Sequence, residues 1–368
     1  MKNLSPQIDS RNRSSQIGPP RTTPALQPPS LAMVMCVHDE ASFLPANLAW
    51  HHAVGVEKAY LFLDHCTDHS EAIARDHPWV DIIPRDHHPD IRFMREYQNQ
   101  CVDIAFDRAR QDGFDWLLHL DADELAFGGL PRAEKPNTPQ LSPFERLVNH
   151  LSGRLLTDAL KNANLPRMLA QLDPDTQQVI LRTHETIPTP VAHTAAFWHN
   201  AHFQSGDPIP QQVLDPLSGK TETVTRYLGH NQGKAIARTR ANLQTFNQHR
   251  FTTNQNVPAP NYPEEVPIPT EYVGAHFHYP IVSPEQWLKK FRQFAAFSKT
   301  WSSGVGLPFP RRAWREVSLT MNETEAADYL DRGLFHSPAQ LDRLTRENKI
   351  QFHPEVPLIL SSLLSATP

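Results

Sequence analysis

The stretch "DWLLHLDADEL", residues 115–125, begins as a continuous apolar run of the kind that forms a strand buried on both faces. It ends in three carboxylates, Asp121, Asp123 and Glu124. Carboxylates this close repel one another, and burying them without compensation is costly. A cation, or water, has to meet them.

Working outward, the chain alternates strand and helix. "LAMVMCV" (31–37), "KAYLFLD" (58–64) and "WVDIIP" (79–84) read as buried strands, and "WLLHL" (116–120) is the fourth. Between them, "ASFLPANLAWHHAVG" (41–55) places Leu44 and Leu48 at helical spacing and ends at Gly55. A short helix follows Asp68. Residues 91–113 put Met94, Tyr97, Cys101, Ile104 and Ala105 on one helical stripe. This order implies an α/β fold with a mainly parallel sheet and helices on both faces. In such sheets ligands gather beyond the carboxyl ends of the strands. The three carboxylates lie at that edge.

The rest is less regular. Residues 1–30 are rich in proline and polar residues and read as a disordered tail. Residues 130–175 read as a helical insertion, with helices near 143–151 and 155–171. A strand is expected at 177–183 and a proline-rich loop at 256–270. Residues 272–299 read as a strand, a turn at Ser283-Pro284 and an amphipathic helix. The domain therefore spans 31–299, and 300–368 is a helical C-terminal extension that packs as a cap.

Composition narrows the function classes. A net charge of −5 over 368 residues, with no basic cluster, gives no nucleic-acid-binding surface. Three cysteines without a CxxC pair argue against a disulfide framework and for a reducing cytoplasm. No stretch has the apolar length of a membrane span, and peripheral membrane contact is left open. Most of the 20 histidines are expected on surfaces and in loops.

Five constellations bear chemistry. On an extended segment Asp121 and Asp123 point the same way, and paired hard oxygens suit Mg²⁺ or Mn²⁺. His38, Asp39 and Glu40 follow the first strand and lead into a helix, where they either bind a polar ligand or cap. Asp64 and Asp68 follow the second strand, the place of ribose-binding acids or of a polar turn. His276 and His278 alternate on one strand face, as metal ligands or as structural histidines. Lys234 and Arg238 in "HNQGKAIAR" offer charge to a phosphate, although the spacing is not that of a Walker A loop.

In this order, "VMCVHDEASFLPANLAWHHAVGVEKAYLFLDHCTDHS", "DWLLHLDADEL", "GKAIAR" and "HFHYPIVSPEQWLKK" resemble the family-two-like glycosyltransferases, with the family-92-type enzymes among them. The resemblance covers about residues 31–299. It implies the GT-A fold, a Rossmann-like domain that binds a nucleotide-sugar (UDP-sugar or GDP-sugar) and a divalent cation, Mn²⁺ or Mg²⁺. By position it implies a metal held by Asp121, Asp123 and His278. It implies a nucleotide pocket lined by His38, Glu40, Asp64 and Asp68, and Lys234 near phosphate or acceptor. "VHDE" stands where the family has "KNE", and "FWHNAHFQSGDP" (197–208) follows its aromatic-glycine segment loosely.

The expected activity is metal-dependent transfer of a sugar to an acceptor hydroxyl of a glycan or glycoconjugate. An inverting transfer needs a carboxylate base. Asp207 is assigned to it, with Glu185 in the same part of the chain. Two alternatives stay open: a metal-dependent nucleotidyl or phosphoryl transferase, and a catalytically silent carbohydrate-binding protein on the same fold.

Overall fold

The computed structural model describes residues 27–90, 94–129, 153–191, 193–247, 249–253, 268–296 and 309–365. The first half runs β1 (Leu31–Val37), α1 (Leu44–Ala53), β2 (Lys58–Leu63), α2 (Ser70–Arg75), β3 (Val80–Ile82), α3 (Met94–Gln111), β4 (Trp116–His119) and β5 (Glu124–Phe127). The middle contributes α4 (Gly153–Ala163), α5 (Leu165–Leu169), β6 (Gln178–Thr186), β7 (His202–Gln204), β8 (Gln211–Leu214), β9 (Thr221–Val224) and β10 (Lys234–Arg238). Then come β11 (Leu243–Asn247), β12 (Arg250–Thr253), β13 (Thr270–Glu271), β14 (Ala275–His278) and α6 (Pro284–Ala296). The chain closes with α7 (Arg311–Val317), α8 (Glu323–Gly333), α9 (Pro338–Arg346), β15 (Gln351–Phe352) and α10 (Glu355–Ser365).

Strands β3, β2, β1 and β4 lie side by side in that order and are parallel. The chain steps outward from β1 to β3, then crosses back to place β4 on the other flank of β1. The carboxyl ends of β1 and β4 therefore form the crevice where such sheets hold ligands. Beyond β4 the sheet is mixed. β10 runs antiparallel between β4 and β6, and β14 lies between β5 and β6, antiparallel to one and parallel to the other.

The apolar run of β1 is buried on both sides, as a central parallel strand requires. Leu31, Met33, Met35 and Val37 pack with Phe43, Leu44, Leu48 and Trp50 around α1. Ala32 and Val34 pack with Tyr97, Cys101, Val102 and Ala105 of α3 on the other face. Helices cover both faces. Gly55 does end α1, at φ +102, where a Cβ would lie 2.7 Å from the Pro166 ring.

The structure differs from the sequence reading in places. The helix expected over 155–171 is two helices, because the Asn164 side chain accepts from the Arg167 amide at 2.8 Å and starts a new one. The described part of residues 300–368 supplies the expected C-terminal helices and, in addition, β15, which pairs with β7 and adds a strand to the main sheet. Val356, Ile359 and Leu360 of α10 join the same core as β1 and α1. Trp314 of α7 meets Trp287 of α6 edge-on at 6.2 Å. Residues 1–26, the expected helix near 143–151 and most of the proline-rich loop at 256–270 lie outside the described residues. The three cysteines are free, and no described helix is long and apolar enough to cross a membrane.

Candidate active site

The carboxylates after β4 sit on a tight turn, not on an extended segment. The Glu124 amide donates to the Asp121 carbonyl at 3.2 Å, and the chain reverses into β5. Asp121 and Asp123 consequently point to different partners. Asp121 pairs with Lys234 at 2.7 Å, and Asp123 pairs with Lys290 at 2.8 Å. The expectation that both would face one point fails because the turn breaks the two-residue alternation of a strand.

Glu124 sits at the centre. It is fully buried, with one oxygen, Oε2, 3.0 Å from the Lys234 ammonium and accepting the Asp121 amide at 2.9 Å. Its other oxygen, Oε1, faces His230 Nε2 at 3.0 Å and His276 Nε2 at 3.6 Å. Burial would lower the Lys234 ammonium, but Asp121 and Glu124 outweigh it and push it up. Burial would likewise raise Asp121, but Lys234 and then His119 hold it well below the usual carboxylate range. Burial raises Asp123 and Glu124 despite their lysines.

Strand register brings distant residues into this cluster. His278 on β14 lies opposite Glu124 on β5 and opposite Glu185 on β6. Residues opposite one another across a sheet share a face, so the three form a row. His278 Nε2 is 3.8 Å from Asp123, and its Nδ1 is 3.5 Å from Glu185. Glu185 accepts the amides of Leu228 and Gly229, each at 2.7 Å, and the Gln204 side-chain amide at 3.2 Å. Burial raises its carboxyl to about 7 all the same. Gly229 has no room for a side chain: a Cβ there would stand 2.0 Å from His278 Cε1. Arg311 of α7 donates to the carbonyls of Leu228 and Gly229 and ties the C-terminal segment to this loop. His230 stacks on His278, ring centroids 4.8 Å apart.

The neighbouring strand ends complete the edge. Glu40 is half-buried, and burial and then Asp123 push its carboxyl to about 8 against the pull of Lys290 and Lys289. Asp39 holds a left-handed backbone (φ 56) and accepts the amides of Thr67 and Asp68, which joins the ends of β1 and β2. Asp68 accepts the Ala41 amide at 3.0 Å and stands 3.5 Å from Lys289. Asp64 pairs with Arg85 at 3.1 Å, and its carbonyl binds the ring of exposed His38. Asp207 is exposed in the loop after β7 and, among the described residues, makes no hydrogen bond or ion pair with the cluster.

The donor set fits a divalent cation. Ligand atoms of Glu124, His230 and His278 all lie within 4.8 Å of one another. Burial first, then neighbouring cationic groups, holds His230 and His278 well below the ordinary imidazole range, so both are neutral and ligand-competent. The sequence reading left Glu124 unassigned and missed His230 and Lys290. Their signals were the "GHNQGK" segment and the double lysine of "WLKKF".

No protein-family model and no curated protein matches the chain. Among solved structures, it is similar to the mannosyltransferase PcManGT from Pyrobaculum calidifontis in complex with GDP-Man and Mn²⁺, with 13% identity, TM-score 0.29, 93% of this chain and 86% of that one. It is also similar to glucosyl-3-phosphoglycerate synthase from Mycobacterium tuberculosis in complex with Mn²⁺, UDP and phosphoglyceric acid (14%, TM-score 0.24, 57% and 56%). A third is 4-diphosphocytidyl-2C-methyl-D-erythritol synthase from Anaerococcus prevotii (10%, TM-score 0.25, 58% and 73%). The chain spans 41% of the length of a similar mycobacterial protein (14%, TM-score 0.24, 43% of this chain). At such scores the α/β architecture rests on the chain's own strand order.

Proposed function

We propose that the protein is a metal-dependent glycosyltransferase that moves a sugar from a nucleotide-sugar donor to an acceptor hydroxyl of a glycan or glycoconjugate. The observation that carries this reading is the convergence of the Asp121–Glu124 turn, His278 and Lys234 at the carboxyl ends of β1 and β4, the ligand edge of a parallel sheet. His38, Glu40, Asp64 and Asp68 line the adjoining strand ends, where the nucleotide would lie. Asp121, Asp123 and His278 frame the place assigned to Mn²⁺ or Mg²⁺. When bound, the cation supplies charge neutralisation at the leaving diphosphate.

The chain's own groups do the rest. Lys234 keeps Asp121 ionised and, by pairing with Glu124 as well, holds the turn closed, and Lys290 pairs with Asp123. Glu185 flanks the His278 ring, 3.5 Å from its Nδ1. An inverting transfer also needs a carboxylate that takes the acceptor's proton, and Asp207, exposed beyond β7, is the residue assigned to it. Thermal shift with a panel of nucleotides and nucleotide-sugars, with and without Mn²⁺, tests the reading. Stabilisation by one nucleoside diphosphate, lost in Asp123→Ala, is expected. Indifference to every nucleotide would sink it.

A further inference from the structure

We propose that the pocket behind the turn is a transition-metal site whose protein ligands are Glu124, His230 and His278, one layer deeper than the two aspartates. The inference rests on reading this edge as the active site, but not on the identity of the donor.

The Glu124 carboxylate is divided in a way that suits a ligand. Oε2 is occupied by Lys234 and the Asp121 amide, while among the described residues Oε1 meets two imidazoles, His230 at 3.0 Å and His276 at 3.6 Å. His276 supplies a second, independent observation. Its side chain is fully buried and aimed at Oε1, yet neither ring nitrogen has a hydrogen-bond partner among the described residues. A buried polar ring left like this costs free energy unless something in the pocket engages it.

The aspartates are differently placed. Each carboxylate already holds an ammonium, so a cation on Asp123 would have to displace Lys290. A cation on Glu124 Oε1 displaces no lysine; it replaces the proton shared between Glu124 and His230. His278 brings one ring nitrogen to the same pocket as Glu124 and His230. Ligands of one tetrahedral ion stand about 3.4 Å apart, so drawing His278 in from the present spread of up to 4.8 Å takes a ring shift of about an ångström.

Two imidazoles and one carboxylate also set the metal. Such a set suits Mn²⁺, Fe²⁺, Co²⁺ or Zn²⁺, whereas Mg²⁺ favours oxygen ligands and retained water.

The test uses the full chain stripped with a chelator. Co²⁺ titration followed by visible absorption should show one equivalent bound, undisturbed by a hundredfold excess of Mg²⁺. Affinity should fall at least tenfold in His230→Gln, a larger loss than in Asp123→Asn. X-ray absorption of the wild-type Co²⁺ protein should show scattering from two imidazoles, a readout that needs no variant to fold. Absence of Co²⁺ binding, or of imidazole scattering, would overturn the site. Binding lost in Asp123→Asn but kept in His230→Gln would move the cation to the aspartates, overturning this ligand set while leaving the proposed function standing.

Discussion

Asn47 donates from one side-chain nitrogen to two main-chain carbonyls, those of Ala122 and Glu124, at 3.0 and 2.9 Å. Three and four residues further along α1, Trp50 Nε1 donates to the Ala126 carbonyl at 2.6 Å, and His51 Nε2 accepts the Ala126 amide at 3.1 Å. Residues three and four apart share a helix face. That face of α1 therefore does for β5 what a neighbouring strand would do, and it fixes the turn that carries the carboxylates.

Asn47→Ala removes both donations and strands two buried carbonyls. A loss of about 2 to 3 kcal/mol is expected, read by urea denaturation. Cation affinity should fall with it, because the turn is no longer pinned. An unchanged denaturation midpoint would show that the turn holds itself.

Lys234 is fully buried against Glu124, also fully buried, and against the more exposed Asp121. Lys234→Met should cost about 3 to 5 kcal/mol, because a buried carboxylate loses its partner. Adding Glu124→Gln to that variant should restore part of the loss. A double variant no more stable than the single one would contradict the pairing.

His51 is buried and neutral, its imidazole lowered to about 4 by burial. The unfolded chain binds this proton near pH 6.5, the folded one only near 4, so stability is complete above 6.5 and is lost as pH falls through that window. The contribution is about 3 kcal/mol at full extent. His51→Gln should show a shallower fall in unfolding free energy between pH 6.5 and 4 than wild type, measured by urea titrations across the range.

Gly229→Ala places a methyl against His278 and Glu185. Metal affinity and turnover should each drop by at least tenfold, while Gly219→Ala, in open space, should leave both unchanged. Gly219 has a positive φ of 69, so that control carries a small backbone cost of its own.

Product analysis separates the two transferase chemistries. Release of a nucleoside diphosphate is expected. Release of pyrophosphate instead would identify a nucleotidyl transferase acting at the same edge.

Much of this was readable before the fold. Runs such as "LAMVMCV" and "KAYLFL" announce buried parallel strands, and their order alone puts Asp121 and Glu40 on one edge. The turn at Ala122–Asp123 was not readable, because hydrophobic alternation does not reveal where a strand reverses. Nor was the row Glu124–His278–Glu185, which exists only through the register of three strands far apart in the chain. Two-residue β15 has too little pattern to be found by periodicity.

That last strand has a consequence for biosynthesis. β15 and α10, among the last residues described, add to the core that holds α1 and cover an edge of β7. A ribosome-bound chain that has already made β1 through β14 still lacks its final sheet partner and core helix. Domains fold as units, and exposed apolar surface and open strand edges invite aggregation. Burial of the main core must therefore finish after translation has passed residue 365, and a stalled nascent chain offers chaperones a ready-made target.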